Sequence, residues 1–320
     1  MVKISNRLMT AAALVTQGYT LADVGTDHGY IPIYLLQQKK IPAAIAMDIN
    51  EGPLERAKEH IALYGLQAYI QTRLSDGVAA LKPGEVEAVL IAGMGGGLVM
   101  HILKDGEKVC QSAKELILQP QSEIERVREF LREEGYTILA EDMVYEDGKF
   151  YPMMKVQYQD EKAQKASEEL KLSDLYGGLL LQNRHPVLKT FLEKEKLIYT
   201  GIKENLEKQP ASEKIRTRLA EVEDILHYNE LALQFYEYSP LFQKHPHHLF
   251  FQSGIFLIPD RQIHPRFLID NTAVMAEGFK SNPAVVAAHA ALTDTTEWHI
   301  ARCKMNDRVI DTAAAKTAGI

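Results

Sequence analysis

Residues 21–30 read Leu21-Ala22-Asp23-Val24-Gly25-Thr26-Asp27-His28-Gly29-Tyr30. A short β-rich run enters a glycine turn, and a helical pattern follows. A strand, a glycine turn and a helix let the backbone approach a bound cofactor closely. The spacing is not Gly-x-Gly-x-x-Gly, because Asp27 stands where the second glycine belongs. An acidic side chain there repels a pyrophosphate seated on the helix N-terminus. It suits a cofactor that presents an ammonium group. S-adenosylmethionine has no phosphate and carries an α-amino group and a sulfonium. Asp23 and Asp27 therefore argue for S-adenosylmethionine over NAD; the plainer alternative is an acidic turn that caps the next helix.

Outward from this turn, β-rich runs alternate with helical patterns as far as residue 157. The expected strands are Leu21–Val24, Ala43–Ile49, Ile70–Leu74, Ala88–Ala92 and Leu116–Gln119, then Thr137–Tyr145 and Phe150–Gln157 around Glu146-Asp147-Gly148. The first five alternate with helices, which implies right-handed crossovers and a parallel sheet. The last two read as a hairpin, so one of them runs antiparallel. This is the α/β, doubly wound, Rossmann-like pattern of class I methyltransferases, over residues 1–160. Residues 161–237 carry almost no strand signal. Leu188, Leu192, Glu195, Tyr199, Ile202 and Leu206 step by four and three, as do Ile215, Leu219, Val222, Leu226, Asn229 and Leu233. With Ser212 as an N-cap, they predict an antiparallel helical hairpin with a coiled-coil seam. Asn229 at a seam position helps fix the register. Residues 238–320 hold six of the eleven histidines and keep neither helical nor strand period, so an irregular or disordered tail is expected.

The 320 residues are 46% hydrophobic and 25% charged, an ordinary globular composition. The net charge of −7 excludes a generally basic nucleic-acid-coating protein, so any nucleic-acid contact uses local patches. Those patches are Lys3 with Arg7, Arg184 to Lys196, and Lys214 to Arg218; a solvated helix face is the plainer account of the last two. Cys110 and Cys303 make neither a disulfide framework nor a four-thiolate zinc site. Pro246-His247-His248 lacks further ligands at metal spacing, so no metal is expected. No apolar run is long enough to span a membrane, and a cytoplasmic monomer is the expected state.

Three further strand ends carry chemistry. Asp48, 23 residues after Gly25, can accept from both ribose hydroxyls. Asp76-Gly77 offers a carboxylate for the adenine amine and a backbone free to approach. Gly93-Met94-Gly95-Gly96-Gly97 exposes backbone beside the first turn. After the fifth strand, Gln119-Pro120-Gln121 can donate and accept at a base edge; capping the next helix is the bland alternative.

Asp23-Val-Gly-Thr-Asp-His-Gly-Tyr30, Arg73-Leu-Ser-Asp-Gly77, Ile91-Ala-Gly-Met-Gly-Gly96 and Leu116-Ile-Leu-Gln-Pro120 together resemble the bacterial tRNA (adenine-N1)-methyltransferases of the TrmK type. The resemblance is in order along the chain and covers about residues 1–237. It implies methylation of adenine 22 in the tRNA D-arm, with S-adenosylmethionine as cofactor and tRNA as partner. Gln121 stands where that family has Asn. The expected cofactor residues are Asp23, Gly25, Thr26, Asp27, His28, Asp48, Ile49, Asp76, Gly77, Gly93 and Met94. The expected tRNA-binding residues are Arg7, Gly95, Gly96, Gln119, Pro120, Gln121, Arg216 and Arg218. Asp27 and Tyr30 are the catalytic candidates: Asp27 favours charge developing on the base, and Tyr30 lines its pocket or packs the first helix. A methyltransferase for another RNA, a protein or a small molecule is the alternative. A nicotinamide-linked oxidoreductase and a silent tRNA-binding scaffold are the remaining rivals.

Overall fold

Every residue of β1 (Leu21–Val24) is buried, as a central strand covered on both faces requires. Its neighbours β2 (Ala44–Asp48) and β4 (Ala88–Met94) run parallel to it. β3 (Ile70–Leu74) pairs with β2, and β5 (Glu115–Pro120) with β4, again in parallel. β6 (Tyr136–Glu146) and β7 (Lys149–Tyr158) form an antiparallel hairpin, and β7 lies antiparallel against β5. The order is β3-β2-β1-β4-β5-β7-β6; the five parallel strands and the closing hairpin agree with the expectation, and β7 is the antiparallel strand. Because only β7 is reversed, β6 ends on the same edge as the five parallel strands. β4 runs past the expected Ala92 to Met94, with a register shift between those two residues. The computed structural model describes residues 1–160, 167–210, 212–237, 304–305 and 308–309.

Two cores follow from the alternation of side chains across the sheet. On one face α1 (Asn6–Leu14), α2 (Tyr30–Gln37) and α3 (Glu51–Leu63) bury Ala11, Ala12, Ile33, Leu35, Ala57 and Ile61 against Leu21, Leu90 and Ile117. On the other, α4 (Gly96–Asp105), α5 (Glu107–Ser112) and α6 (Ile124–Glu133) pack Val99, Leu103, Cys110, Val127 and Leu131 against Val89, Ile91 and Leu118.

The helical stretch holds more than the expected hairpin. Before it come α7 (Glu168–Tyr176) and α8 (Gly178–Gln182), which the heptad spacing did not reveal. The hairpin is α9 (Pro186–Glu207) and α10 (Glu213–Glu237). Pro186 opens α9, where its missing N–H costs nothing. Ser212 Oγ accepts from Ile215 N at 3.3 Å at the start of α10. Asn229 is fully buried between the two helices and donates to Leu192 O and Glu195 Oε2, both at 2.9 Å. Tyr176 OH donates to the same carboxylate at 2.7 Å, tying α7 into the pair. A slip of the hairpin would strand these buried polar groups.

The helices attach to the sheet through a buried ion pair. Arg128 on α6 and Glu141 on β6 meet at 2.9 Å with side chains 3% and 1% exposed. Arg128 Nη1 also donates to Asp174 O and Leu175 O, and Glu141 Oε2 accepts from Leu179 N. This knot lies at the α7–α8 joint, where a Cβ on Gly177 would press on both charged groups.

The chain divides into two units, Met1–Tyr238 and Ser239–Ile320. In the second, the described residues are the antiparallel pair β8 (Lys304–Met305) and β9 (Arg308–Val309). The expected irregular tail otherwise lies outside the described residues.

Candidate active site

The ends of the parallel strands are stitched together by backbone bonds. Gly25 N and Thr26 N both donate to Met47 O at 2.8 Å, and Ser75 N donates to Asp48 O at 2.8 Å. Gly25 has φ +75°, and a Cβ there would overlap the Met94 methyl. The first turn and the end of β4 are therefore in contact, and the positive φ together with this close approach favours glycine there. Gly77 (φ +52°) meets the Ile102 side chain closely, and Gly93 has φ +83°. Thr26 is buried, whereas Ile49 and Asp76 are exposed.

The three acidic strand ends sit in different surroundings. Asp23 is 5% exposed, and no cationic side chain comes within 4.0 Å of it among the described residues. Burial pushes its carboxyl up to about 6; the Asp48 charge adds to the rise and the Thr26 hydroxyl opposes it. Asp48 is half-buried, and its Oδ1 accepts from Asn50 N at 2.8 Å. Asp27 is exposed and not free: Arg56 on α3 meets it at 2.5 Å, and His28 Nε2 lies 3.3 Å away.

His28, Tyr30 and His60 make a compact aromatic group beside this pair. Their ring centroids are 5.0, 5.1 and 5.3 Å apart, with planes within 23° of parallel. His60 Nδ1 is 3.1 Å from His28 O. Tyr30 therefore takes part in this stack at the head of α2. Sequence reasoning missed Arg56 and His60. They sit one helical turn apart on α3, but nothing in the pattern says which turn that face meets.

On the other side of β4 the glycine loop runs into α4. Ser122 Oγ accepts from Gly96 N at 3.2 Å, and Glu123 Oε2 accepts from Gly97 N at 3.1 Å. A Cβ on Gly96 would overlap the Ser122 carbonyl, while Gly95 stays exposed. Gln121 is exposed, with its N–H donated to Met94 O at 2.8 Å. Gln119 corrects the sequence expectation: it is fully buried, as is Pro120, and offers no edge to a base. Its Oε1 accepts from Arg7 Nη1 at 2.7 Å. The group that reaches the strand-end edge is thus Arg7, whose guanidinium lies over the Tyr151 ring at 5.4 Å and close to Gly93. Arg216 and Arg218 are not brought to this edge. They stand near the hairpin tip, roughly 27 Å along α10 from Tyr236 at 1.5 Å per residue. Tyr236 OH donates to His185 O at the base of the hairpin, and Arg218 pairs with Glu221 at 2.7 Å.

Residues 4–154 match a family described as a methyltransferase domain. A Bacillus subtilis tRNA (adenine(22)-N(1))-methyltransferase is 35% identical over 225 residues, 69% of this chain and 93% of the relative. The chain belongs to the tRNA (adenine(22)-N(1))-methyltransferase family. The structural comparison agrees with that membership. The crystal structure of the B. subtilis m1A22 tRNA methyltransferase TrmK superposes with a TM-score of 0.65 and 32% identity, over 73% of this chain and 100% of that one. A Streptococcus pneumoniae protein in complex with S-adenosyl-L-methionine gives 0.62 and 33%, over 72% and 100%. The strand-end acids, the glycine turns, Arg7 and Gln119 all lie within the matched residues 4–154.

Proposed function

We propose that this protein transfers a methyl group from S-adenosylmethionine to N1 of adenine 22 in tRNA. The observation that carries the reading is Asp23 beside the Gly25 turn: a buried acid with no cationic side chain within 4.0 Å among the described residues, next to a positive-φ backbone that favours glycine. Such a place fits a ligand that brings its own positive charge and needs close backbone approach. When bound, S-adenosylmethionine supplies an electrophilic methyl that the N1 lone pair displaces from sulfur, leaving a neutral thioether and a cationic 1-methyladenine. N1 already holds a lone pair, so the chain needs no general base. Its work is to hold and orient: Asp23 and the Gly25 turn for the cationic end, Asp48 for the ribose hydroxyls, Asp76 and Gly77 for the adenine end. Asp27, tethered by Arg56, adds negative potential on the side where the base becomes cationic. The D-arm adenine has to leave its stack to reach this edge. No described helix is long and apolar enough to cross a membrane. With tRNA as partner, the cytoplasm is the compartment this reading gives, and a monomer suffices for it.

The test is transfer of labelled methyl from S-adenosylmethionine to unmodified tRNA, with nucleoside analysis of the product. 1-Methyladenosine should form on tRNA with adenine at position 22 and not when that base is guanine. Label on protein, or equal label on both tRNAs, would overturn the proposal.

A further inference from the structure

Six arginines lie in residues 1–160, and five of them have a carboxylate partner. Arg56 meets Asp27, Arg73 meets Glu85, Arg126 meets Glu123, Arg128 meets Glu141 and Arg132 meets Asp174, all between 2.5 and 2.9 Å. Arg7 is the exception. It is half-buried, and no carboxylate lies within 4.0 Å of its guanidinium among the described residues. Its side-chain partners are neutral: the Gln119 amide oxygen at 2.7 Å and the face of Tyr151 at 5.4 Å. Yet it is held firmly. Glu146 Oε1 and Oε2 accept from the backbone N–H groups of Asn6 and Arg7 at 2.8 and 3.2 Å, fixing the start of α1 at the end of β6. Gln119, fully buried, has its oxygen turned to Arg7, and its Nε2 makes only a long 3.4 Å contact to Pro120 O.

A planar cation fixed at backbone, face and one nitrogen, with the other donors unspent, is a pre-organised anion receptor. It lies beside the exposed Gly93, where a Cβ would stand 3.6 Å from Nη1 and 3.7 Å from Gln121 Nε2. We propose that Arg7 clamps a phosphodiester group flanking the target adenine, and that the buried Gln119 is the positioning residue that aims it. This rests on the tRNA reading above and deepens it. A guanidinium against the base itself would oppose the positive charge that methylation places there. A flanking phosphate neutralises the guanidinium, so the cation does not oppose methylation, and its anchoring holds the nucleotide out of its stack. The role differs from a surface lysine that steers RNA, because the energy is used only when the base has been extruded.

The experiment compares wild type with Arg7→Ala, Arg7→Lys and Gln119→Met. Each is measured for methyl transfer to tRNA, for S-adenosylmethionine affinity by calorimetry and for tRNA affinity against salt. In parallel, wild type and Arg7→Ala are given tRNAs with one neutral methylphosphonate on the 5′ or the 3′ side of the target adenine. Arg7→Ala should lower kcat by about 100-fold, the usual cost of a misplaced reacting group. Its S-adenosylmethionine affinity should be unchanged, and its tRNA salt slope lower by about one ion. Arg7→Lys should recover part of the rate, having the charge without the fork. Gln119→Met should lower kcat more than it raises KM. One of the two methylphosphonates should slow wild type to a similar extent and cost Arg7→Ala nothing further. Losses that add in the combination overturn the clamp, as does an Arg7→Ala enzyme with wild-type kcat. The methylphosphonate arm on wild type decides the matter even if a variant folds poorly. A wild type that methylates no tRNA overturns the functional reading and the clamp with it.

Discussion

If Asp23 meets the cationic end of S-adenosylmethionine, as proposed, binding should be a pH-dependent event. The Asp23 carboxyl is pushed from 3.8 to about 6, chiefly by burial. That rise corresponds to roughly 3 kcal/mol between the two protonation states, at about 1.4 kcal/mol per pH unit. The folded chain therefore holds the Asp23 proton more tightly than the unfolded chain does. This contribution to stability is fully present below about pH 4 and is lost as pH rises through about 6. A bound cation reverses the balance by favouring the ionised carboxylate. Binding S-adenosylmethionine below about pH 6 must then release a proton, and affinity should climb by up to tenfold per pH unit until it levels near neutrality. Calorimetric titrations between about pH 5 and 7, in buffers of different ionisation enthalpy, measure the released proton directly. Asp23→Asn should flatten the profile, weaken binding near neutral pH and leave the variant at least as stable as wild type there, since the amide carries no ionisation penalty. S-adenosylhomocysteine keeps the ammonium and lacks the sulfonium, so it reports which cation Asp23 feels. An Asp23→Asn protein with the wild-type pH slope would refute the reasoning.

Asp48→Ala should weaken S-adenosylmethionine by about 1–3 kcal/mol if both ribose hydroxyls lose their acceptor; unchanged affinity in calorimetry removes the ribose assignment. Arg128→Met leaves Glu141 charged and buried, which should cost about 3–5 kcal/mol, or roughly 6–20 °C in melting temperature for a unit of this size. Pairing it with Glu141→Leu should restore most of that loss, and a double variant as unstable as the single would show that packing, not the ion pair, matters there. Arg216→Gln with Arg218→Gln should weaken tRNA in filter binding and flatten the salt dependence by at most about two ions; superimposable curves would take the hairpin tip off the RNA surface.

The sheet was legible because each parallel strand is a short apolar run bounded by glycine or a polar turn, and the final pair lacks an intervening helix. The hairpin was legible because its seam repeats every three and four residues and ends at Ser212. α7 and α8 were not: Glu168 to Gln182 is broken by Gly177-Gly178, and neither half is long enough to establish a period. Their place is set by tertiary contacts that no local pattern encodes, above all the Arg128–Glu141 pair and the carbonyls it gathers. In the site, the glycines at 25, 77 and 93 could be read from sequence, since positive φ and close approach leave few other residues able to serve. Gln119 was misread for a physical reason. A polar residue at a strand end looks available, and its burial depends on α1, which arrives from more than a hundred residues away.

The acids and bases at the strand-end edge sort by whether they have partners. Asp27, the carboxylate that sequence put nearest the chemistry, is matched by Arg56 and exposed, so it contributes potential without an unmet charge. Among the described residues Asp23 is buried with no cationic side chain within 4.0 Å, and Arg7 is half-buried with no carboxylate within 4.0 Å of its guanidinium, the Glu146 carboxylate being held on its backbone N–H. Both arrangements cost free energy, which a ligand charge of the opposite sign would offset. On the proposed reading, S-adenosylmethionine would bring the cation and the tRNA backbone the anion. They would do so on opposite sides of the β4 end, where Gly25 packs on Met94 and Gly93 faces Arg7. The target base has then to enter between a cofactor anchored at β1 and a phosphate anchored at β5, which is the arrangement an in-line transfer to N1 requires.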